Sequence, residues 1–166
     1  MIEKLTKTEV PEKFIGNTSI GVQRLISDNQ KTITDFIEKD KSLSIQYTDK
    51  KNGGDKATEL AVAIFKIIFH NEIPLKTRLL YQFTPTLVNL IQDRQPLYHV
   101  VNADIVIFDK FDYIDGFNGK IISSIIGQRH YSNLKSIYIS NEKLSEISKR
   151  NVILQGIINN YLEIAL

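Results

Sequence analysis

The side chains best placed to do chemistry stand at the ends of two short apolar runs and beside one glycine-bearing loop. Ile105 to Phe108 is an unbroken apolar run that closes on Asp109, and Ile137 to Ile139 leads through Ser140 to Asn141. Such runs are too short for helices and too continuous for strands with one wet face. They read as central strands of a parallel sheet covered on both sides. Parallel sheets place ligands at the carboxyl ends of their strands. An aspartate there is one wall of a nucleotide site, where it holds magnesium, although strand ends also carry acids as plain loop punctuation. The residue that follows is Lys110. An ammonium cannot polarise an attacking water at neutral pH without a large pKa shift.

The opposite wall would be the loop KKNGGDKATELA, from Lys50 to Ala61. A strand feeding a glycine loop and then a helix N-terminus is a geometry that holds phosphate, through backbone N–H groups and the helix dipole. A working phosphate loop reads G-x-x-x-x-G-K-[ST]. With Thr58 in the hydroxyl position, the lysine position is Ala57 and the preceding glycine is Lys56. Lys56 is then turned by about 100° around the helix from the place the motif requires. The motif is absent as written, and a simple connecting loop is the plainer reading.

Other polar groups carry less. Arg129 ends a predicted helix, where it could meet the terminal carbonyls, and Asn141 could cap the helix that follows. His70, His99 and His130 have no ligand spacing, and no glycine pattern surrounds any serine as in a nucleophile elbow.

The elements that must position these groups alternate. Met1 to Asp40 is polar, with Pro11, Gly16 and Gly21 before a helical pattern through Leu25, Ile26, Ile33, Phe36 and Ile37. It reads as an N-terminal arm and one or two amphipathic helices packed on a core from 41 to 166. Leu43, Ile45 and Tyr47 alternate as a strand. Thr58 to Asn71 is an apolar helix whose Glu59, Lys66 and His70 form one wet stripe. A turn at Asn71 to Lys76 around Pro74 leads to a strand over Arg78 to Phe83. Thr84 caps the next helix, with Pro85 at its first position. Tyr98 to Val101 leads into the Asp109 strand, an acidic loop follows, and Lys120 to Tyr131 is a helix. Glu142 to Arg150 is a short polar helix, and Val152 to Leu166 holds a last helix or strand. The order describes an α/β domain with a parallel sheet.

Composition bounds the rest. The 166 residues are 42% hydrophobic, enough for one domain with a real core, and the net charge of +2 is too small to argue for nucleic acid. The absence of cysteine excludes disulfides and thiolate chemistry. No run approaches the roughly 18 apolar residues of a membrane span, and MIEKLTKTEV has no signal core, so a cytoplasmic protein is expected.

In this order the pieces resemble the bacterial replicative helicase loaders and transposition helper ATPases, the DnaC/DnaI and IstB group of AAA+ proteins. The likeness runs from VPEKFIGNTSI to ISNEKLSEIS and takes in LAVAI, LLYQFTPTLVNLI and IVIFDKFD. IISSIIGQRHYSNLKSIYISN is its most specific part. The resemblance implies a three-layer P-loop NTPase fold of the AAA+ large-domain type, with little or no helical lid. It implies Thr58 as the Walker A hydroxyl residue; Lys56, which stands at the motif's last glycine, would bind nucleotide only through a rearranged loop. It also implies Asp109 as the magnesium-associated Walker B aspartate, Asn141 as the γ-phosphate sensor, and Arg129 as the arginine presented to a neighbouring subunit's nucleotide.

Ala57, Lys56 and Lys110 depart from that pattern at opposite walls of one site. The expectation is therefore a degenerate ATPase, not an enzyme, with no cofactor. ATP and Mg2+ are the ligands a surviving site would take. Its role would be in DNA replication, on a phage, plasmid or other mobile element, through contact with a replicative helicase or its loader. Two alternatives stay open: an active loader whose lysine comes from Lys50, Lys51 or Lys56, and an adaptor using those lysines on single-stranded DNA. Side-by-side homo-oligomers are common for loader-like ATPases and remain open here.

Overall fold

The computed structural model describes residues 9–71, 78–114, 116–157 and 161–166. Five strands make one parallel sheet: β1 (Ser42–Gln46), β2 (Leu79–Phe83), β3 (Ile105–Asp109), β4 (Lys135–Ser140) and β5 (Tyr161–Ala165). Their order across the sheet is β2-β3-β4-β1-β5. Because every pairing is parallel, all the carboxyl ends lie along one edge. Asp109 and Ser140 therefore end neighbouring central strands on the same side of the molecule.

The unbroken apolar runs are explained by burial on both faces. Ile105 and Ile107 of β3 enter one hydrophobic cluster, while Val106 and Phe108 enter the other. The first cluster is covered by α1 (Ile20–Asp28), α2 (Gln30–Glu38) and α3 (Gly53–His70), and includes Val22, Phe36, Leu60 and Ile64. The second is covered by α4 (Thr84–Gln92), α5 (Tyr98–Asn102), α6 (Gly116–Tyr131), α7 (Leu144–Lys149) and α8 (Val152–Ile157). The result is the expected three-layer α/β arrangement. Among the described residues no helix is long and apolar enough to cross a membrane.

Several boundaries differ from the sequence expectation. The stretch leading into β3 is the short helix α5, and the acidic loop after Asp109 winds into a 3-10 turn, Phe111–Tyr113. Helix α6 starts at Gly116, earlier than Lys120. Thr84 is the first residue of α4 and makes no side-chain cap, since Phe83 holds the cap position and the Thr84 hydroxyl is buried without a partner. The last segment holds both a helix and a strand, and that strand forms the outer edge beside β1. The turn expected around Pro74 lies outside the described residues.

The polar stripe on α3 is not simply wet. Glu59 accepts from Ser19 N–H, and at 3.0 Å from the Ser19 hydroxyl, while the Lys66 ammonium donates to the Gly16 carbonyl at 2.6 Å. One turn nearer the start of α3, Asp55 pairs with Lys13 at 2.9 Å. A run of charge that reads as solvated is thus the seam where the N-terminal arm is fastened, with Val10 and Ile15 buried beside it. Replacing Glu59 with alanine removes the acceptor for both Ser19 donors. The expected result is a loss of about 1–2 kcal/mol in urea unfolding and faster proteolysis within residues 9–19. Unchanged protection of the arm would show that apolar burial alone holds it.

Candidate nucleotide site

Asp109 ends β3 at the carboxyl edge and is only 6% exposed. A carboxylate taken that far from water needs donors. Its Oδ2 accepts from the Tyr81 hydroxyl at 2.6 Å and from the Thr58 hydroxyl at 2.9 Å. Its Oδ1 accepts from the Lys110 backbone N–H at 2.8 Å. Thr58 comes from the second turn of α3 and also lies 3.0 Å from the Gly54 carbonyl, so its one proton is shared between two acceptors. Burial pushes the Tyr81 hydroxyl far above the usual tyrosine range, and the Asp109 charge adds to it. Tyr81 consequently remains a proton donor at any ordinary pH.

A hydroxyl from the phosphate-side helix facing a strand-end aspartate is the pair that holds magnesium in P-loop NTPases. Thr58 and Asp109 fit that chemistry in kind. The phosphate side does not fit it. Helix α3 begins at Gly53, so residues 53–58 of the would-be loop are already helical, and Gly53 N–H is spent on the Asp49 carbonyl at 2.8 Å. A cradle for phosphate needs loop backbone whose N–H groups face outward.

The glycine pair has another role. A Cβ at Gly53 would stand 3.0 Å from Tyr47, and one at Gly54 would stand 3.1 Å from the Lys110 ammonium. A side chain at Gly53 would crowd the buried Tyr47, whereas at Gly54 it would meet the flexible end of Lys110. Lys110 donates from Nζ to the Tyr47 hydroxyl at 2.8 Å, with the ammonium 5.1 Å from the ring centre. The bond to Tyr47 raises the Lys110 pKa, and the charges of Asp109 and Asp112 assist. The residue in the position of a water-polarising acid is therefore a firmly charged cation.

Lys56 is exposed and turned away from this mouth: its Cε lies 4.0 Å from where a Cβ of Gly21 on α1 would stand. Lys50 and Lys51 are exposed in the preceding turn, and Ala57 is fully buried. The structure brings Thr58 and Asp109 together and leaves Lys56 apart.

Asn141 is half-buried just after β4, and its backbone N–H reaches Asp112 Oδ1 at 3.4 Å. It does not cap α7, whose cap position is Lys143 with no side-chain bond. Arg129 departs most from expectation. It is wholly buried, not presented to a neighbour. Its NH1 donates to the carbonyls of Val100 at 2.8 Å and Ala103 at 2.7 Å, its NH2 to that of Lys135, and its Nε to Ser136 at 3.2 Å. The guanidinium ties α5, the entry to β3 and the entry to β4 at the amino edge, away from Asp109. Burial lowers its pKa to about 10, which keeps it charged at neutral pH.

Sequence reasoning missed Tyr47 and Tyr81. Tyr81 alternates with Leu80 and Gln82 like any strand aromatic and gives no sign of its hydroxyl's partner. Tyr47 did carry a signal, a bulky ring six residues before a glycine pair that a phosphate loop would need open. Among the described residues no cluster of three or more His, Asp or Glu could hold a metal ion.

Strand order and layers are those of a P-loop NTPase fold, and solved structures share them. The DnaC helicase loader superposes with a TM-score of 0.64 at 17% identity, over 91% of this chain and 93% of that one. DnaI superposes at 0.63 and 14% identity, over 97% and 93%. Domain III of the Thermotoga maritima replication initiation protein DnaA gives 0.65 at 15% identity, over 96% of this chain and 69% of that one. No protein-family model matches the chain, and no curated protein matches it. The likeness is one of fold.

Replacing Arg129 with methionine keeps volume and strips the carbonyls of Val100, Val101, Ala103 and Lys135 of a buried donor. The expected loss is about 3 kcal/mol or more in chemical denaturation. An arginine serving only a neighbour's nucleotide would leave monomer stability unchanged.

Proposed function

We propose that the chain is a helicase-loader-like protein of DNA replication that works by contact with a replicative helicase or its loader, without turning over ATP. Two kinds of support converge. Solved structures sharing the fold over nearly the whole chain include the DnaC helicase loader and DnaI. The second is chemical. The observation that carries the reading is the phosphate side, where residues 53–58 are already helical and Ala57 stands where the motif needs a lysine.

Hydrolysis needs an acid that polarises water and a cation on the phosphates. Lys110 replaces the acid with a charge of the wrong sign, and the position for the cation is Ala57 in the core. What such a domain retains is shape, and shape is what a protein partner reads.

The purified protein is expected to hydrolyse ATP with Mg2+ no faster than background, and to retain the host's replicative helicase or its loader in a pull-down. Asp109→Ala should cost about 3 kcal/mol of stability, because the Tyr81 and Thr58 hydroxyls lose their acceptor, with no ATPase rate to remove. Robust magnesium-dependent turnover abolished by that substitution would sink the non-hydrolysing reading. Failure to retain either partner would sink the contact.

A further inference from the structure

The geometry points to an intramolecular plug: Tyr47 and Lys110 together occupy the phosphate end of the site and hold it closed in place of a nucleotide. This rests on the reading that the site does not turn over, and it adds what fills the site instead.

Three observations carry it. The Tyr47 ring, 2% exposed, lies against Gly53 so closely that a Cβ there would be 3.0 Å away. The Lys110 ammonium covers the next position, Gly54, and is fixed to the Tyr47 hydroxyl at 2.8 Å. Lys110 also adopts a left-handed backbone, with φ 57° and ψ 48°, which is uncommon outside glycine and asparagine. That conformation turns the chain back from the strand end and leaves the Lys110 N–H on Asp109 while its side chain reaches Tyr47. One residue therefore joins the end of β3, the end of β1 and the start of α3. In a nucleotide-bound enzyme of this fold the phosphates make that connection. Here the cation and the ring make it, and nucleotide phosphates must displace them to enter.

Amide hydrogen exchange on the full chain tests the plug, using Tyr47→Phe, Lys110→Met and Lys110→Gly. Tyr47→Phe keeps the ring and removes only the hydroxyl. Lys110→Gly suits the left-handed backbone and removes only the side chain. Each variant should exchange roughly tenfold faster over residues 49–55, the equilibrium weight of one charge-assisted hydrogen bond. Exchange in α6 and β4 should stay unchanged, which also reports that the variants are folded. Wild-type exchange over residues 49–55 should not slow when ATP and Mg2+ are added. Wild-type rates in Tyr47→Phe or Lys110→Met would overturn the plug. So would wild-type rates in Lys110→Gly, since backbone conformation alone would then hold the mouth. Slowing by MgATP would overturn it too. Helicase retention is not read here, so the plug can fail while the proposed partner stands.

Discussion

A carboxylate buried at the end of a central strand must find compensation, and the way Asp109 finds it shapes the rest of the site. In water the group would cost nothing; at 6% exposure it needs donors on both oxygens. Magnesium and a lysine-bound nucleotide are one solution. This chain uses two hydroxyls and a backbone amide, with an ammonium close by. Tyr81 can reach Asp109 because β2 and β3 are adjacent and parallel, and Thr58 because α3 packs on that face. The buried carboxylate therefore finds hydrogen-bond donors from three parts of the chain.

The same logic explains the amino edge. Arg129 sits where α5 ends and two strands begin, a place where backbone carbonyls of irregular chain converge with no ladder to satisfy them. A planar guanidinium with several donors solves that geometry better than an ammonium would. Its position in sequence is that of an arginine offered outward, yet its contacts are all inward. A residue type at a familiar spacing fixes where a side chain starts, not where its head group goes.

The sheet and its two buried faces were legible because a short apolar run without polar alternation fits only a strand covered on both sides. Asp109 and Asn141 were legible for the same reason: they punctuate those runs. Helix starts were less so. Gly53 and Gly54 look like loop residues by propensity, yet they form the first turn of α3 beneath Tyr47 and Lys110. Glu59 and Lys66 form a polar stripe that is only half-exposed, because a segment some 40 to 50 residues earlier lies across it. Contacts that depend on distant chain leave no periodic trace.

The edge strand β5 has its own consequence for how the molecule comes together. It pairs with β1, and the Thr48 hydroxyl bonds to the Leu166 carbonyl, 118 positions further along the chain. Closing so large a loop is entropically slow, and it is the least local step in assembling the sheet. Until it happens, one flank of β1 offers unpaired backbone in a strand whose centre, Leu43 to Ile45, is wholly buried in the finished fold. During that interval the nascent sheet is open to pairing with a second chain. The strand that contributes least to the candidate site is thus the one that covers the last open flank of β1.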